Sequence, residues 1–131
     1  MIAVDTSALM AMLRKEPPAT ACKDILDSET RPLISAATLA EALVVADRRS
    51  LGTDMRELVD AIEFEVMPVD VATAARIAEI YARWGKGVHP AGLNIIDCFA
   101  YDVARQNNCP LLYVGNDFAQ TDVTSAIISD S

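Results

Sequence analysis

Four acidic residues in separate parts of the chain could together hold a divalent metal ion. Asp5 directly follows the apolar run IAV, and Asp117 follows the apolar run LLYV and Gly115. Glu41 and Asp97 lie near the starts of two segments with helical patterns. If these carboxylates meet, their like charges raise one another's pKa until some protonate or a cation neutralises them. Carboxylate oxygens are donors that Mg²⁺ and Mn²⁺ accept, so the pattern favours a divalent-metal site.

Each acid also has a purely structural interpretation. Residues 38–41 (TLAE) and 94–97 (NIID) both have the spacing of a helix capping box, in which an acid satisfies backbone N–H groups. Asp117 in GND could form a turn, and Asp5 could hydrogen-bond to the turn that follows it. These interpretations stay open for each acid taken singly, so the metal hypothesis depends on all four acids together.

Strand and helix patterns alternate along the chain and suggest how the acids could meet. Strands separated by helices, without tight hairpin signals, predict a parallel sheet covered by helices on both faces. Ligands of such sheets bind beyond the carboxyl ends of the strands, where Asp5 and Asp117 fall. The predicted strands are 2–4, 32–35, 64–70 and 110–114, with a short last one at 121–128.

The predicted helices take their limits from capping residues, prolines and glycines. Thr6 or Ser7 is the expected N-cap of the first helix, and Pro17 and Pro18 are expected in the first turn of the second. Gly52 is expected to break the chain before the fourth helix. The predicted helices are 6–16, 17–26, 37–49, 55–62, 71–84 and 94–108.

Length and composition limit the class of protein. The chain has 131 residues, of which 52% are hydrophobic and 23% charged, so we expect a single domain spanning residues 1–131. It has neither a membrane-length apolar run nor a signal-peptide pattern, so a cytoplasmic location is expected. Cys22, Cys98 and Cys109 have no CxxC spacing and are expected to fill apolar space rather than bind zinc. A net charge of −8 argues at first against a nucleic-acid partner, because phosphate binding normally uses clustered Lys and Arg.

Four motifs, taken in order, resemble PIN-domain ribonucleases, specifically the VapC-type toxins of bacterial toxin–antitoxin pairs. They are VDTSAL around Asp5, TLAEAL around Glu41, GKGVHPAGLNIIDCFAYDVAR around Asp97 and LLYVGNDFAQTDV around Asp117. The resemblance spans nearly the whole chain, with one departure at Ile96, where relatives usually have glycine. It implies a three-layer α/β/α PIN-like domain with a central parallel β-sheet. It also implies an endoribonuclease dependent on Mg²⁺ or Mn²⁺, a VapB-type antitoxin as partner, and frequent homodimerisation.

Carried over residue by residue, the resemblance assigns catalysis to Asp5, Glu41, Asp97 and Asp117, with Asp5, Asp97 and Asp117 as metal ligands. A metal held by carboxylates activates water and neutralises the charge that grows on a phosphate. The acidic net charge then no longer argues against an RNA substrate, because the metal supplies the positive charge.

Other residues receive subsidiary roles. Thr6 and Ser7 fall where the family has hydroxyls beside the metal, although helix capping explains them equally well. Asp122, in the last motif, could support the ligands, cap a helix or bind the metal. His89, the only histidine, is expected to be a loop residue and not a catalyst. Scattered cations could contact the substrate: Arg14, Arg48, Arg49, Arg83 and Lys86.

Other protein classes fit parts of the pattern. A receiver-like signalling domain also holds Mg²⁺ in an acidic pocket, but it needs an acidic pair by the first strand and a lysine after the last. A haloacid-dehalogenase-type phosphatase would need an acid at Ser7. A catalytically silent PIN-like binding module stays open, and metal-dependent cleavage would distinguish an enzyme from it. The sequence of the cleaved RNA is not specified, because such recognition depends on shape and stacking.

Overall fold

Four parallel strands form the central sheet of the computed structural model, which describes residues 1–28 and 31–127. The strands are β1 (Ile2–Val4), β2 (Pro32–Ser35), β3 (Glu65–Met67) and β4 (Leu111–Leu112), in the order β3-β2-β1-β4. The order reverses at β1, because β2 and β3 extend the sheet on one side and β4 on the other. Ligands of parallel α/β sheets bind at the carboxyl edge beside such a reversal.

Helices connect the strands and cover both faces of the sheet. None of the helices within the described ranges has the length and apolarity needed to cross a membrane. Their bounds are α1 (Thr6–Leu13), α2 (Ala19–Ser28), α3 (Ala36–Arg48), α4 (Gly52–Ile62), α5 (Val71–Trp84) and α6 (Ile95–Gln106), followed by a 3₁₀ turn at Phe118–Gln120.

Strand side chains alternate between two apolar layers, as the two-residue period of a strand requires. Ile2 and Val4 pack into one layer with residues of α1 to α4, and Ala3 packs into the other with α5 and α6. Leu33 and Ile34 of β2 divide between the layers in the same way. The three-layer α/β/α architecture predicted from the sequence is therefore confirmed.

Three predicted strands differ from the observed ones. β4 ends at Leu112 and not at residue 114, because the Val114 N–H donates to Ser7 Oγ at 3.0 Å instead of to a neighbouring strand. The strand predicted at 64–70 is limited to β3, because the proline that follows β3 has no N–H. In 121–128, Ser125 makes an isolated parallel bridge with Leu111, and the final residue of that range lies outside the described residues.

The starts or N-caps of four helices differ from the sequence prediction. α2 begins at Ala19, after Pro17 and Pro18 and not with them in its first turn, and α4 begins at Gly52 instead of after it. Asp5, rather than Thr6 or Ser7, is the N-cap of α1, and its Oδ2 accepts the Ser7 N–H at 3.0 Å. Ser35 is the N-cap of α3, and its Oγ accepts the Ala37 N–H at 3.2 Å. In both places the helix begins directly at the end of a strand, without a loop between the two elements.

A buried hydroxyl on α3 should lower the stability of the fold. Thr38 is fully buried, and its Oγ1 has no hydrogen-bond partner among the described residues. Because an unpaired buried hydroxyl costs about 1–3 kcal/mol, we expect Thr38→Val to raise the free energy of unfolding, measured in urea, by about 1 kcal/mol. Thr73→Val is the matched control, since Thr73 is also buried but its Oγ1 completes a capping box with Asp70. The control should lose about 1 kcal/mol, and a loss at both positions would contradict this account of Thr38.

Candidate active site

Asp5 places a buried carboxyl group at the end of β1, where the strand order reverses. Only 4% of the residue is exposed, and its N–H donates to the Leu112 carbonyl at 3.0 Å, which anchors it between β1 and β4. Burial raises the pKa of Asp5 above its ordinary value, against hydrogen bonds from Ser7 and Thr6 that lower it, and the charge of Asp117 raises it further. The local hydrogen bond considered for Asp5 is present, but the fold also buries an ionisable group there.

The hydroxyls of Thr6 and Ser7 join the end of β1 to neighbouring elements. Thr6 Oγ1 donates to the Thr38 carbonyl on α3 at 3.3 Å. Ser7 Oγ accepts the Val114 N–H just beyond β4. These two bonds fix Asp5 relative to the helix that carries the second acid and to the segment that leads to the fourth.

Glu41 lies in the second turn of α3, beyond the residues that cap the helix. Since Ser35 is the N-cap, the capping box predicted for 38–41 is wrong. Burial raises the pKa of Glu41, a hydrogen bond with the Thr6 hydroxyl lowers it, and the charge of Asp5 adds to the rise. The carboxyl of Glu41 therefore belongs to the surroundings of Asp5 and not to the start of its own helix.

Asp97 takes part in the cap of α6, and its pKa depends on the charges of the other acids. The capping box predicted for 94–97 is confirmed: Asn94 Oδ1 accepts the Asp97 N–H at 2.9 Å, and Asp97 Oδ2 accepts the Asn94 N–H at 3.0 Å. Burial raises the pKa of Asp97 to about 6, against the backbone hydrogen bond of Asn94, and the charges of Asp5, Glu41 and Asp117 raise it further. Asp97 is thus coupled to all three other acids.

Asp117 approaches the same edge from the loop after β4. Gly115 has φ +109°, a conformation that residues with a side chain rarely adopt, and this accounts for the glycine at that point. Phe118, the residue after Asp117, is buried and anchors this loop, with its ring centroid 5.4 Å from that of Tyr113. Among the described residues, Asp117 makes no side-chain capping bond to the 3₁₀ turn that it precedes. Turn formation alone therefore does not explain an acid at this position.

The four acids share one edge of the sheet without forming a compact ligand set. The charges of the other three acids raise the pKa of Asp97. The charge of Asp5 likewise raises the pKa of Glu41, and the charge of Asp117 raises the pKa of Asp5. Within residues 1–28 and 31–127, no three His, Cys, Asp or Glu side chains lie close enough together to hold one metal ion. The donors are nevertheless all oxygens, and a cation would offset the burial and repulsion that raise these pKa values. The chemistry of the set therefore fits Mg²⁺ or Mn²⁺.

Asp97 should make the stability of the fold depend on pH. Its pKa in the folded protein is about 6 against an ordinary value of 3.8, so the folded state binds more protons than the unfolded state between these values. The contribution of Asp97 to the free energy of unfolding should be greatest below about pH 4 and fall as the pH rises to about 6. Asp97→Asn removes this titration and keeps an oxygen at the cap. In urea unfolding without divalent cations, the unaltered protein should lose stability relative to the variant across that interval, and a constant difference would contradict the assignment.

Asp122 lies over the middle of α6 and not among the four acids. Its Oδ1 accepts the Tyr101 hydroxyl at 2.6 Å, and Arg83 and Arg105 each place Nη1 3.9 Å from Oδ2. Sequence reasoning missed Tyr101 as a partner of this acid. The one available signal was its position four residues after Asp97, which places both on neighbouring turns of one helix.

His89 has a structural role in the loop before α6, in keeping with the loop position expected from the sequence. Its Nδ1 accepts the Ala91 N–H at 3.0 Å, and its ring packs edge-on against Trp84 with centroids 4.6 Å apart. Of the cations considered for substrate contact, Arg83 lies over the Trp84 ring at 4.6 Å. All five of these cations are exposed: Arg14, Arg48, Arg49, Arg83 and Lys86.

The sequence matches the profile of one protein family and is similar to several named proteins. The profile of the PIN domain matches residues 2–123. Ribonuclease VapC28 of Mycobacterium tuberculosis is 40% identical over 128 residues, which cover 95% of this chain and 96% of that protein. A VapC ribonuclease of Rhizobium meliloti is 36% identical over 138 residues, covering 92% of this chain and 97% of the relative.

Two solved structures share the fold. The Mycobacterium tuberculosis toxin VapC20, described as cleaving the sarcin–ricin loop, aligns with a TM-score of 0.78 at 17% identity over 96% of this chain and 98% of that one. A toxin–antitoxin complex from Klebsiella pneumoniae aligns with a TM-score of 0.71 at 17% identity over 93% of each chain. At this level of identity the two structures bear on the fold alone.

Proposed function

This chain belongs to the PIN-domain family, in its VapC group, and we propose that it is a divalent-metal-dependent endoribonuclease acting as the toxin of a toxin–antitoxin pair. The observation that carries the proposal is the buried carboxyl of Asp5 at the end of β1, where the strand order reverses, on an edge of the sheet that Asp5 shares with Glu41, Asp97 and Asp117. The VapC ribonucleases that match nearly the whole chain support RNA as the substrate. Membership of this family removes the receiver-like and dehalogenase-like alternatives.

The metal ligands that we assign are Asp5, Asp97 and Asp117, with Glu41 beside them. Mg²⁺ or Mn²⁺ suits this set because it offers only oxygen donors. Burial already holds the pKa values of Asp5, Glu41 and Asp97 above their ordinary ranges, so a cation would relieve an unfavourable concentration of charge. When bound, such an ion supplies an activated water molecule and offsets the negative charge of the phosphate.

The chain's own residues hold the reacting groups in place. Asp5 is fixed by the Leu112 carbonyl and the Ser7 N–H, and Asp97 by its capping box. Glu41 caps no helix, and burial raises the pKa of its carboxyl, so it can exchange a proton without releasing an element of the fold. With a net charge of −8, the chain would meet RNA at this edge and at a few arginines rather than over a basic surface.

Digestion of RNA by the purified protein tests this function. Incubation in Mg²⁺ should give discrete fragments, and excess EDTA should prevent their formation. RNA that stays intact in Mg²⁺, with the protein folded, would instead favour the catalytically silent binding module.

A VapB-type antitoxin is the proposed partner, and we assign its binding to an apolar groove between α1, α2 and α4. The groove has a volume of about 580 Å³, and its lining includes Met12, Leu13, Leu26, Leu58 and Ile62. Residues 8–11 of α1 are buried in the core, so α1 contributes its last two residues, Met12 and Leu13, to the groove. Such a groove suits the apolar face of a helix or an extended segment.

Blocking the groove should separate partner binding from catalysis. Ala61 lies exposed on the groove lining, so Ala61→Arg should fill the groove without disturbing the core. In co-expression with the neighbouring reading frame, the unaltered chain should copurify as a complex without ribonuclease activity, whereas the variant should lose the complex and remain active. Ala78→Arg, on the exposed face of α5, is the matched control and should still copurify. Full activity of the unaltered chain beside that neighbour would contradict the toxin assignment.

We also propose that the toxin forms a homodimer and acts in the cytoplasm. The described surface exposes large apolar side chains on separate elements, which a second copy could cover: Val44, Val71 and Ile95. Light scattering of the purified chain measures its molar mass in solution, which distinguishes a dimer from a monomer.

A further inference from the structure

The segment that carries Asp117 runs along α6 and meets it at two levels. At the start of α6, the buried ring of Phe118, the residue after Asp117, belongs to the same apolar cluster as Cys98, the residue after Asp97. Farther along, Asp122 contacts Tyr101 and Arg105, which follow Asp97 at intervals of four residues on the same helix. Four residues of helix rise by about 6 Å, so Asp122 lies one to two turns beyond Asp97. The segment 117–122 therefore runs along the length of α6, the helix that carries Asp97.

A chain of hydrogen bonds fastens the far end of this segment. The Trp84 indole N–H donates to the Tyr101 oxygen at 3.2 Å, and the Tyr101 hydroxyl donates to Asp122 Oδ1 at 2.6 Å. Tyr101 is only 5% exposed, and burial raises the pKa of its phenol, so the hydroxyl keeps the proton that it donates. The other oxygen of Asp122 faces Arg83 and Arg105 at 3.9 Å. Asp122 is thus held from α5 and from α6.

Asp117 itself depends on its neighbours for its position. It is exposed, and no capping bond from its carboxyl is present within the described ranges. Before it lies Gly115 with a positive φ, and after it lie buried Phe118 and then Asp122. The placement of this carboxyl beside Asp97 must therefore come from the attachments of the backbone on either side.

We propose that Trp84, Tyr101 and Asp122 form a clamp that sets the position of Asp117 relative to Asp97. Tyr101 and Asp122 are positioning residues in this scheme: they act through Asp117, and their side-chain polar contacts among the described residues are with each other and with Trp84, Arg83 and Arg105. The proposal rests on the assignment of Asp97 and Asp117 as metal ligands. It gives Asp122 a function outside the ligand set, and it makes Trp84, the only tryptophan of the chain, a reporter on the clamp.

A double-mutant cycle tests the clamp with readouts that do not require RNA. Tyr101→Phe removes the donor, Asp122→Ala removes the acceptor, and the double variant removes both. Asp122→Asn is the conservative rescue, because its amide oxygen can still accept from Tyr101. Tyr81→Phe is the matched control, since the Tyr81 hydroxyl donates to the Lys86 carbonyl at 3.5 Å and, among the described residues, to no member of the clamp. The measurements are Mg²⁺ affinity by calorimetry, amide hydrogen exchange, Trp84 fluorescence and urea stability.

The clamp predicts that Tyr101→Phe and Asp122→Ala each weaken Mg²⁺ binding by about 10-fold or more, as for other residues that orient metal ligands. The double variant should be no weaker than the weaker single one, because both remove the same hydrogen bond. Amides of 117–123 should exchange faster while those of α1 keep their rates, and Trp84 emission should shift. Asp122→Asn and Tyr81→Phe should keep Mg²⁺ affinities close to that of the unaltered protein.

Unchanged Mg²⁺ affinity and unchanged exchange at 117–123 in folded Tyr101→Phe would overturn the clamp, as would additive losses in the double variant. Failure of the proposed function gives a different result. If the unaltered protein binds no Mg²⁺ or cleaves RNA in EDTA, the ligand assignment fails. Exchange at 117–123 and Trp84 emission then still decide whether Tyr101 and Asp122 hold the segment.

Discussion

Replacing Asp5 with asparagine is expected to abolish RNA cleavage while the fold remains intact. Asp5 is the most deeply buried of the four acids, and it joins the end of β1 to both α1 and β4. Loss of a metal ligand removes several kcal/mol of transition-state stabilisation, which corresponds to a rate reduced by about 10³-fold or more. Asparagine caps a helix as well as aspartate does, so α1 should keep its start. Initial rates of cleavage of one RNA, measured in excess Mg²⁺, test this expectation.

The same variant should be more stable than the unaltered protein when divalent cations are absent. Because burial raises the pKa of Asp5, ionising it in the folded state costs free energy at any pH above its ordinary range, and asparagine removes that cost. Asp60→Asn is the matched control, since Asp60 lies exposed on α4, away from the site. Unchanged cleavage by Asp5→Asn, or loss of cleavage by the control, would contradict the assignment of Asp5.

Cleavage by the unaltered protein is expected to leave 5′-phosphate and 3′-hydroxyl ends and to stop when divalent cations are removed. In hydrolysis, water attacks the phosphorus, the bond from phosphorus to the 3′-oxygen breaks, and that oxygen takes up a proton. Attack by the ribose 2′-hydroxyl would instead leave a cyclic phosphate and a 5′-hydroxyl, and it requires a general base and a general acid. His89 is the only histidine, and its Nδ1 already accepts the Ala91 N–H. The four acids that could hold a metal ion, together with a single histidine, therefore favour attack by water over attack by the 2′-hydroxyl.

Local sequence patterns identified four candidate acids but could not decide which of them cap helices. Residues 38–41 and 94–97 have the same spacing, yet only the second forms a capping box. α3 begins directly at the end of β2, where Ser35 is already able to cap it, so Thr38 falls inside the helix. Asn94 follows a loop and has no competing cap. A spacing rule cannot distinguish these cases, because Ser35 and Thr38 are both good caps and only the packing of the helix selects one.

Contacts between distant residues account for most of what the sequence did not reveal. The apolar runs and the acid at the end of β1 could be predicted because each depends on neighbouring residues. The bond from the Tyr101 hydroxyl to Asp122 spans 21 positions and requires the path that the chain takes after β4. The bond from the Val114 N–H to Ser7 Oγ spans 107 positions, and it replaces the strand pairing predicted there.

The most direct test of metal-dependent hydrolysis is to digest one defined RNA with the purified protein and to determine the chemistry of the fragment ends, in Mg²⁺ and in excess EDTA. We predict 5′ ends that are sensitive to phosphatase, 3′ ends that can be ligated without treatment, and intact RNA in EDTA. Cyclic phosphate ends, or cleavage that persists in EDTA, would show that Asp5, Glu41, Asp97 and Asp117 do not serve a metal in RNA hydrolysis.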